Sequence, residues 1–329
     1  PADALYGVQT LRGVENFPIS HFHLNEYPLF IKGLAITKMG AAAANHELGL
    51  LSDELYNAIM QACDEVAEGK HDKEFPVDMI QGGAGTTTNM NANEVIANRA
   101  LQIMGYECGD FKHCSPNDDV NCSQSTNDAY PTAAHIGLYY TNIELVKHLE
   151  MLIESFRAKS KEFANVIKMG RTQLQDAVPM TLGQTFGGFA SVLEDEIKNL
   201  NYAAEEFLTV NMGATAIGTG ICAEPGYAEK CVAALSRLTG LNFKLSADLV
   251  GATSDTTSLV GYSGAMRRLA VKISKISNDL RLLSSGPRCG LGEFNLPPMQ
   301  PGSSIMPGKV NPVIPEVMSQ IAYKVIGND

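Results

Sequence analysis

Residues 301–312 read PGSSIMPGKVNP and bring together a concentrated set of reactive groups. Two hydroxyls, Ser303 and Ser304, precede one cation, Lys309, and one amide, Asn311. Three other stretches carry similar chemistry: GGAGTTTNMNANE at 82–94, CSQSTNDAYP at 122–131 and MGRTQLQDAVP at 169–179. Hydroxyls and amides at helix ends ordinarily serve as caps, with Gly closing the far end. Here each stretch holds several such groups where one cap would suffice. Helix N-termini with free backbone N–H groups attract anions, and nearby hydroxyls add donors. Loops of this kind can hold carboxylates without a metal.

Other chemistries fail on spacing. Five residues separate Gly302 from Gly308 and Val310 follows Lys309, so the phosphate-binding GxxxxGK[ST] pattern is absent. GAGTTT lacks the third glycine of a dinucleotide fingerprint. His46-Glu47 has no second histidine to complete HExxH, and GxSxG does not occur. No Ala-Ser-Gly tripeptide is present from which to build an electrophilic prosthetic group. An elimination would therefore run on side chains alone.

The elements that must position these loops are helical. After Asp255 the apolar residues Leu259, Tyr262, Met266, Leu269, Ile273, Ile276, Leu280 and Leu283 recur at alternating spacings of three and four. That is the seam of a long, coiled-coil-like helix of about 40 Å, stopped by Gly286-Pro287. Arg267, Arg268, Lys272 and Lys275 fall off the seam and are read as solvated. Further long helices are predicted over about 128–165 and 182–208, with shorter ones near 28–48, 54–68, 91–104, 226–239 and 314–326. Strand signals are sparse. Thr87 and Thr88 are read as caps of the helix that begins near Asn91. The fold class is all-α: an elongated bundle of long helices preceded by a smaller N-terminal helical domain. The expected division is 1–127 and 128–329.

Bulk properties narrow the partners. The 329 residues carry 25 basic and 36 acidic side chains, a net charge of −11, without a basic cluster for nucleic acid. An anionic small substrate remains compatible, because a local pocket can oppose the global sign. The seven cysteines are scattered without a CxxC pair and are read as reduced thiols of a cytoplasmic protein. No apolar run is long enough to span a membrane. The sequence begins PADALYGVQT, without a start methionine, and is read as cut there and at its GND end.

GSSIMPGKVNP resembles the signature loop of the aspartase/fumarase superfamily, and the other three loops match the family's substrate-binding regions in order and spacing. The resemblance runs from YGVQT near the start to KVIGND at the end. It implies an all-α homotetramer with a core of long helices, and active sites shared among three subunits. It implies removal of a proton beside a carboxylate through a doubly charged enediolate, followed by expulsion of a leaving group to give fumarate. The resemblance makes Ser303 the base. A serine hydroxyl is too weak an acid to serve unaided, so its alkoxide needs local N–H groups and the Lys309 cation. Thr86, Ser125, Thr126 and the backbone near Ser304 would hold the carboxylate that gains charge. Thr172, Lys309 and Asn311 would hold the second carboxylate, and Asn127 would meet the leaving group. Arg171, Glu293 and Asp128 are read as ion pairs or caps. Family members extend further and end in a small third domain, so the C-terminal domain is expected to be missing from this chain.

Two features choose between the family's branches. Fumarases typically continue the signature as KVNPTQCEA; here it reads KVNPVIPEVMSQ, similar to the ammonia-lyase branch. Fumarases, and some members of the ammonia-lyase branch, also carry His after the threonine of the 170 loop, where this chain has Gln173. A neutral amide cannot donate a proton as imidazolium does. Expelling hydroxide needs such an acid; expelling an already protonated amine needs it much less. The expected reaction is reversible deamination of L-aspartate to fumarate and ammonium. Fumarate hydration and a non-enzymatic structural protein on the same scaffold are the alternatives. No organic cofactor is required in the family, no metal ligand is assigned here, and some members are activated by a divalent cation.

Overall fold

The computed structural model describes residues 3–329. The α-helices in chain order are α1 (Val8–Asn16), α2 (Pro28–Glu47), α3 (Asp53–Ala67), α4 (Thr86–Ile103), α5 (Thr126–Glu162), α6 (Leu182–Glu205), α7 (Tyr227–Thr239), α8 (Leu249–Ser254), α9 (Thr257–Leu283) and α10 (Val313–Asn328). Four short strands accompany them: β1 (Ile167–Thr172), β2 (Gln175–Thr181), β3 (Thr209–Val210) and β4 (Lys244–Leu245). β1 and β2 pair antiparallel; β3 and β4 pair parallel. The protein is mostly helical rather than purely so. Among the described residues no helix is long and apolar enough to cross a membrane.

Two compact units form, and neither is a continuous piece of chain. The first comprises 1–141 and 204–255; the second comprises 142–203 and 256–329. The sequence-based boundary at 127/128 falls at the start of α5, a different line from the one between these units.

In the first unit α2 packs on α3 and α7, and α4 packs on α1 and α3. Leu24, Ile31, Leu34, Ile59, Ile96 and Leu101 are wholly buried or nearly so. Each such side chain contributes about 1.5–3 kcal/mol by leaving water. Ser52 caps α3, accepting from the Leu55 N–H, and Asp53 and Glu54 complement the dipole of its first turn. α3 and α4 are also locked by charge. Arg99 on α4 places two nitrogens on the Glu65 carboxylate of α3, at 2.6 and 3.0 Å, and His71 adds a third contact at 3.0 Å.

In the second unit α6 and α9 meet around Glu196, which is 0% exposed. Arg268 and Lys272 of α9 both pair with it. The reading of Lys272 as solvated is therefore corrected, while Arg268 makes the same pairing with its side chain half exposed. They lie off the apolar seam, but a buried carboxylate must be neutralised, and they reach it from α9. Tyr262 and Leu269 are buried on the predicted seam, with Ala265 and Ala270 beside them. Phe156, Phe186 and Phe189 form a ring cluster with centroids 5.7–6.1 Å apart.

Two further expectations change. α4 begins at Thr86, not near Asn91, so Thr87 and Thr88 lie inside the helix rather than capping it. The stretch read as a loop over 169–179 is largely a β-hairpin.

The Glu65 clamp yields a prediction. The Arg99 guanidinium, with help from His71, holds the Glu65 carboxyl down to about 2. Its folded value lies below its unfolded value, so its stabilisation is present above about pH 4.5 and is lost as pH falls through about 2. Glu65→Gln is expected to lower the thermal midpoint at pH 7 by about 2–6 °C. Melting curves at descending pH should show that gap closing towards pH 2.

Candidate active site

In the first unit the donors sit where α4 and α5 begin. Gly85 precedes α4 with φ 88°, and an added Cβ would collide with the Tyr130 ring. A left-handed position with no room for a side chain requires glycine. Thr86 follows, exposed, its hydroxyl donating to the Gly83 carbonyl at 2.7 Å. Ser125 stands just before α5 in a reciprocal cap: its N–H donates to the Asp128 carboxylate at 2.9 Å, and its hydroxyl accepts from the Asn127 N–H at 3.3 Å. The other Asp128 oxygen accepts from the Gly213 and Thr215 N–H groups at 3.1 and 2.9 Å. Asp128 is thus the cap expected of it, and it also anchors a second loop. Burial pushes its carboxyl up, against the backbone N–H groups and Lys38 that favour the charged form.

Asn127 is fixed at both ends. Pro131 has no N–H to give the Asn127 carbonyl, and the Asn211 side chain donates there instead at 3.1 Å. The Asn127 side-chain nitrogen donates to the Ala216 carbonyl at 2.7 Å. Its oxygen is then the atom left to accept, which suits a protonated amine. Asn89, one turn into α4, donates to the Thr126 hydroxyl at 3.3 Å and so links the two helix starts.

In the second unit Thr172 ends β1 and pairs with Gln175 across a two-residue turn. That turn is Gln173-Leu174, with φ 51° and 63°, a left-handed pair that hairpins normally give to Asn and Gly. Placing ordinary side chains there stores strain of the kind found at functional sites. Arg171 and Lys168 both pair with Glu293, the latter at 3.2 Å, which ties the hairpin to the segment leading into 301–312. The ion-pair reading of Arg171 and Glu293 holds.

The loop itself is closed by its own backbone. Gly302 passes so near the Lys309 carbonyl that a Cβ there would overlap it. The Asn311 side chain donates to the Gly302 carbonyl at 2.9 Å. This closure bends residues 303–306 so that the Ser303 oxygen accepts from the Ile305 and Met306 N–H groups, each at 3.2 Å. Two fixed donors on a serine oxygen favour its alkoxide. Lys309 and Asn311 line an open cavity of about 830 Å³ with Asn278, Arg281 and Glu316. Ser304 is exposed beside it in sequence and does not line it.

The family model described as Lyase matches residues 1–327. The chain belongs to this lyase family. It is 58% identical to the aspartate ammonia-lyase of Pseudomonas aeruginosa, covering 100% of this chain and 70% of that protein. It is 54% identical to the aspartate ammonia-lyase of Escherichia coli K12, covering 100% of this chain and 69% of that protein. Among solved structures, a Brucella melitensis fumarate lyase:delta crystallin superposes with a TM-score of 0.97 at 55% identity, over 100% of this chain and 71% of that one. The class II fumarase of Schistosoma mansoni superposes at 0.94 with 38% identity, over 100% and 72%. The family match runs to residue 327, and the chain spans 69–71% of the length of the two ammonia-lyases and the Brucella structure.

This lyase also holds groups that the sequence reading passed over. Lys38 on α2 is 1% exposed. Its ammonium donates to side-chain oxygens of Asn89, Asn121 and Gln124 at 2.8, 2.9 and 2.8 Å. Burial lowers it to about 7, with Asp128 opposing the shift. The signal lay in AITKMGAAAANH, where one cation sits in a run of small and apolar residues buried on every side. Asn121 and Gln124 immediately precede Ser125 and Thr126 in sequence, so Lys38 braces the loop that leads into them.

Loop closure at Gly302 should be indispensable. Gly302→Ala is expected to reduce lyase turnover at least about 100-fold, by separating Ser303 from its donors. Far-ultraviolet circular dichroism should remain that of the parent, because the loop lies outside the helices.

Proposed function

We propose that this chain is an aspartate ammonia-lyase that interconverts L-aspartate with fumarate and ammonium. The observation that carries this reading is the 54–58% identity, over the whole chain, to curated proteins of that name. The fumarase relative stands lower, at 38%. Gln173 and the KVNPVIPE continuation favour the same branch.

Ser303 removes the proton beside the carboxylate that becomes the enediolate. Its oxygen already accepts two backbone N–H bonds, which supports that role. Ser125, Thr126 and the Ser304 backbone receive this carboxylate, where their donors matter most as its charge rises, and Thr86 joins them by turning its hydroxyl away from the Gly83 carbonyl. Thr172, Lys309 and Asn311 receive the second carboxylate. The Asn127 oxygen accepts from the leaving ammonium, and Gln173 lies alongside as a neutral neighbour. No cofactor takes part in this scheme.

The assembly is a homotetramer whose elongated helical core forms from several copies, each active site drawing on three of them. Large apolar side chains exposed on α9 and α10, among them Val260, Val271, Ile314, Ile321 and Tyr323, support burial against further copies. The protein works in the cytoplasm.

Fumarate absorbance followed with L-aspartate, then with L-malate, tests the substrate. Fumarate is expected from aspartate alone; formation from malate alone would make the protein a hydratase. Ser303→Ala should lower kcat about 10²–10⁴-fold with the fold retained. Near-normal turnover in that variant would remove Ser303 as the base. Light scattering should report a tetramer, and a fully active monomer would contradict shared sites.

A further inference from the structure

We propose that Asn89 is a positioning residue that, held by Lys38, sets the direction in which the Thr126 hydroxyl donates. The reasoning begins with Lys38, whose ammonium has three donors and no acceptor. All three end on side-chain amide oxygens, those of Asn89, Asn121 and Gln124. An amide that gives its oxygen to Lys38 must turn its nitrogen the other way. Asn89 is 2% exposed and so has no water with which to trade these bonds. Its nitrogen faces the Asn121 oxygen at 3.1 Å and the Thr126 hydroxyl at 3.3 Å. Asn93 also donates to the Asn121 oxygen, at 3.2 Å, so that oxygen is itself held as an acceptor.

The consequence falls on Thr126. Its oxygen accepts from Asn89, which leaves its own O–H proton to point elsewhere, where a carboxylate can take it. A hydroxyl with an acceptor behind it would instead donate inward and present a lone pair to the carboxylate. Lys38 to Asn89 to Thr126 is thus a one-way chain of donors that begins at a buried cation and ends at a substrate group. It rests on the reading of Thr126 as a carboxylate donor, and it adds two residues to the determinants of substrate binding.

Asn89→Asp separates direction from packing. Aspartate keeps the shape and pairs with Lys38, but it only accepts, so Thr126 must donate inward. The variant gains a charge pair with Lys38 but sets an oxygen against the Asn121 oxygen, so it is expected to fold with a somewhat lower melting temperature than the parent. It should lower kcat/KM for aspartate about 100-fold and weaken succinate binding, read by calorimetry, at least about 10-fold. If Asn89 acts through Thr126, then Thr126→Ala should cost less than about threefold more when added to Asn89→Asp. Retention of kcat/KM within about threefold in Asn89→Asp, or effects of the two changes that multiply in full, would overturn the proposal. Should Asn89→Asp fail to fold, Lys38→Met releases the same amide from the other end, and its effect must likewise fail to multiply with that of Thr126→Ala. Succinate binding needs a carboxylate donor but no chemistry. A parent protein that binds succinate yet makes no fumarate would refute the functional reading while leaving this one to the binding cycle. A parent that neither binds succinate nor makes fumarate would overturn both.

Discussion

A serine oxygen can carry negative charge only where fixed donors face it, and the 301–312 loop of the second unit sets two such donors on Ser303. The Ser303 oxygen receives the Ile305 and Met306 N–H groups because the chain bends sharply after Gly302. The bend persists because Gly302 lies against the Lys309 carbonyl and Asn311 bonds back to the Gly302 carbonyl. Upstream, Glu293 is gripped by Arg171 and Lys168, so the segment entering the loop is attached to the β1–β2 hairpin. Donors arranged before any charge develops need not reorganise when it appears, which is why such geometry can help a poor base.

The first unit meets a related demand by another route. Its donors stand at helix starts, where backbone N–H groups lack helical partners. Asp128 fixes one such start by accepting from Ser125 on one side and from Gly213 and Thr215 on the other. Behind it, Lys38 is buried among amide oxygens. A buried cation is tolerable only when every proton finds an acceptor. That requirement gives the interior a fixed sense of hydrogen-bond direction reaching as far as Thr126. Stability and site geometry are here the same set of bonds.

The long helices were legible because apolar residues recur with helical period over many turns. α5, α6 and α9 lie close to where that period placed them. The loop at 301–312 was legible as chemistry because hydroxyl, amide and cation are packed among glycines and prolines. The 169–179 stretch was not legible as a hairpin. Its turn uses Gln173 and Leu174 at left-handed φ, without the glycine or asparagine that marks such turns. The pairing of Arg268 and Lys272 was not legible for a different reason: their partner, Glu196, lies on another helix far away in sequence.

By itself, the sequence determined the helical character of the chain, the reactive residues of its four polar stretches, and its place in the family. The first two follow from periodicity and from residue types that are adjacent in the chain, and the third from the resemblance of the GSSIMPGKVNP stretch and its companion loops to known members. Only the tertiary structure decided which donors are committed and which remain free. It turned the Asn127 oxygen outward by tying its nitrogen to Ala216, gave Ser303 its two N–H partners, and placed Lys38 behind Thr126. A hydrogen bond has a direction as well as a partner, and both depend on groups brought together by folding.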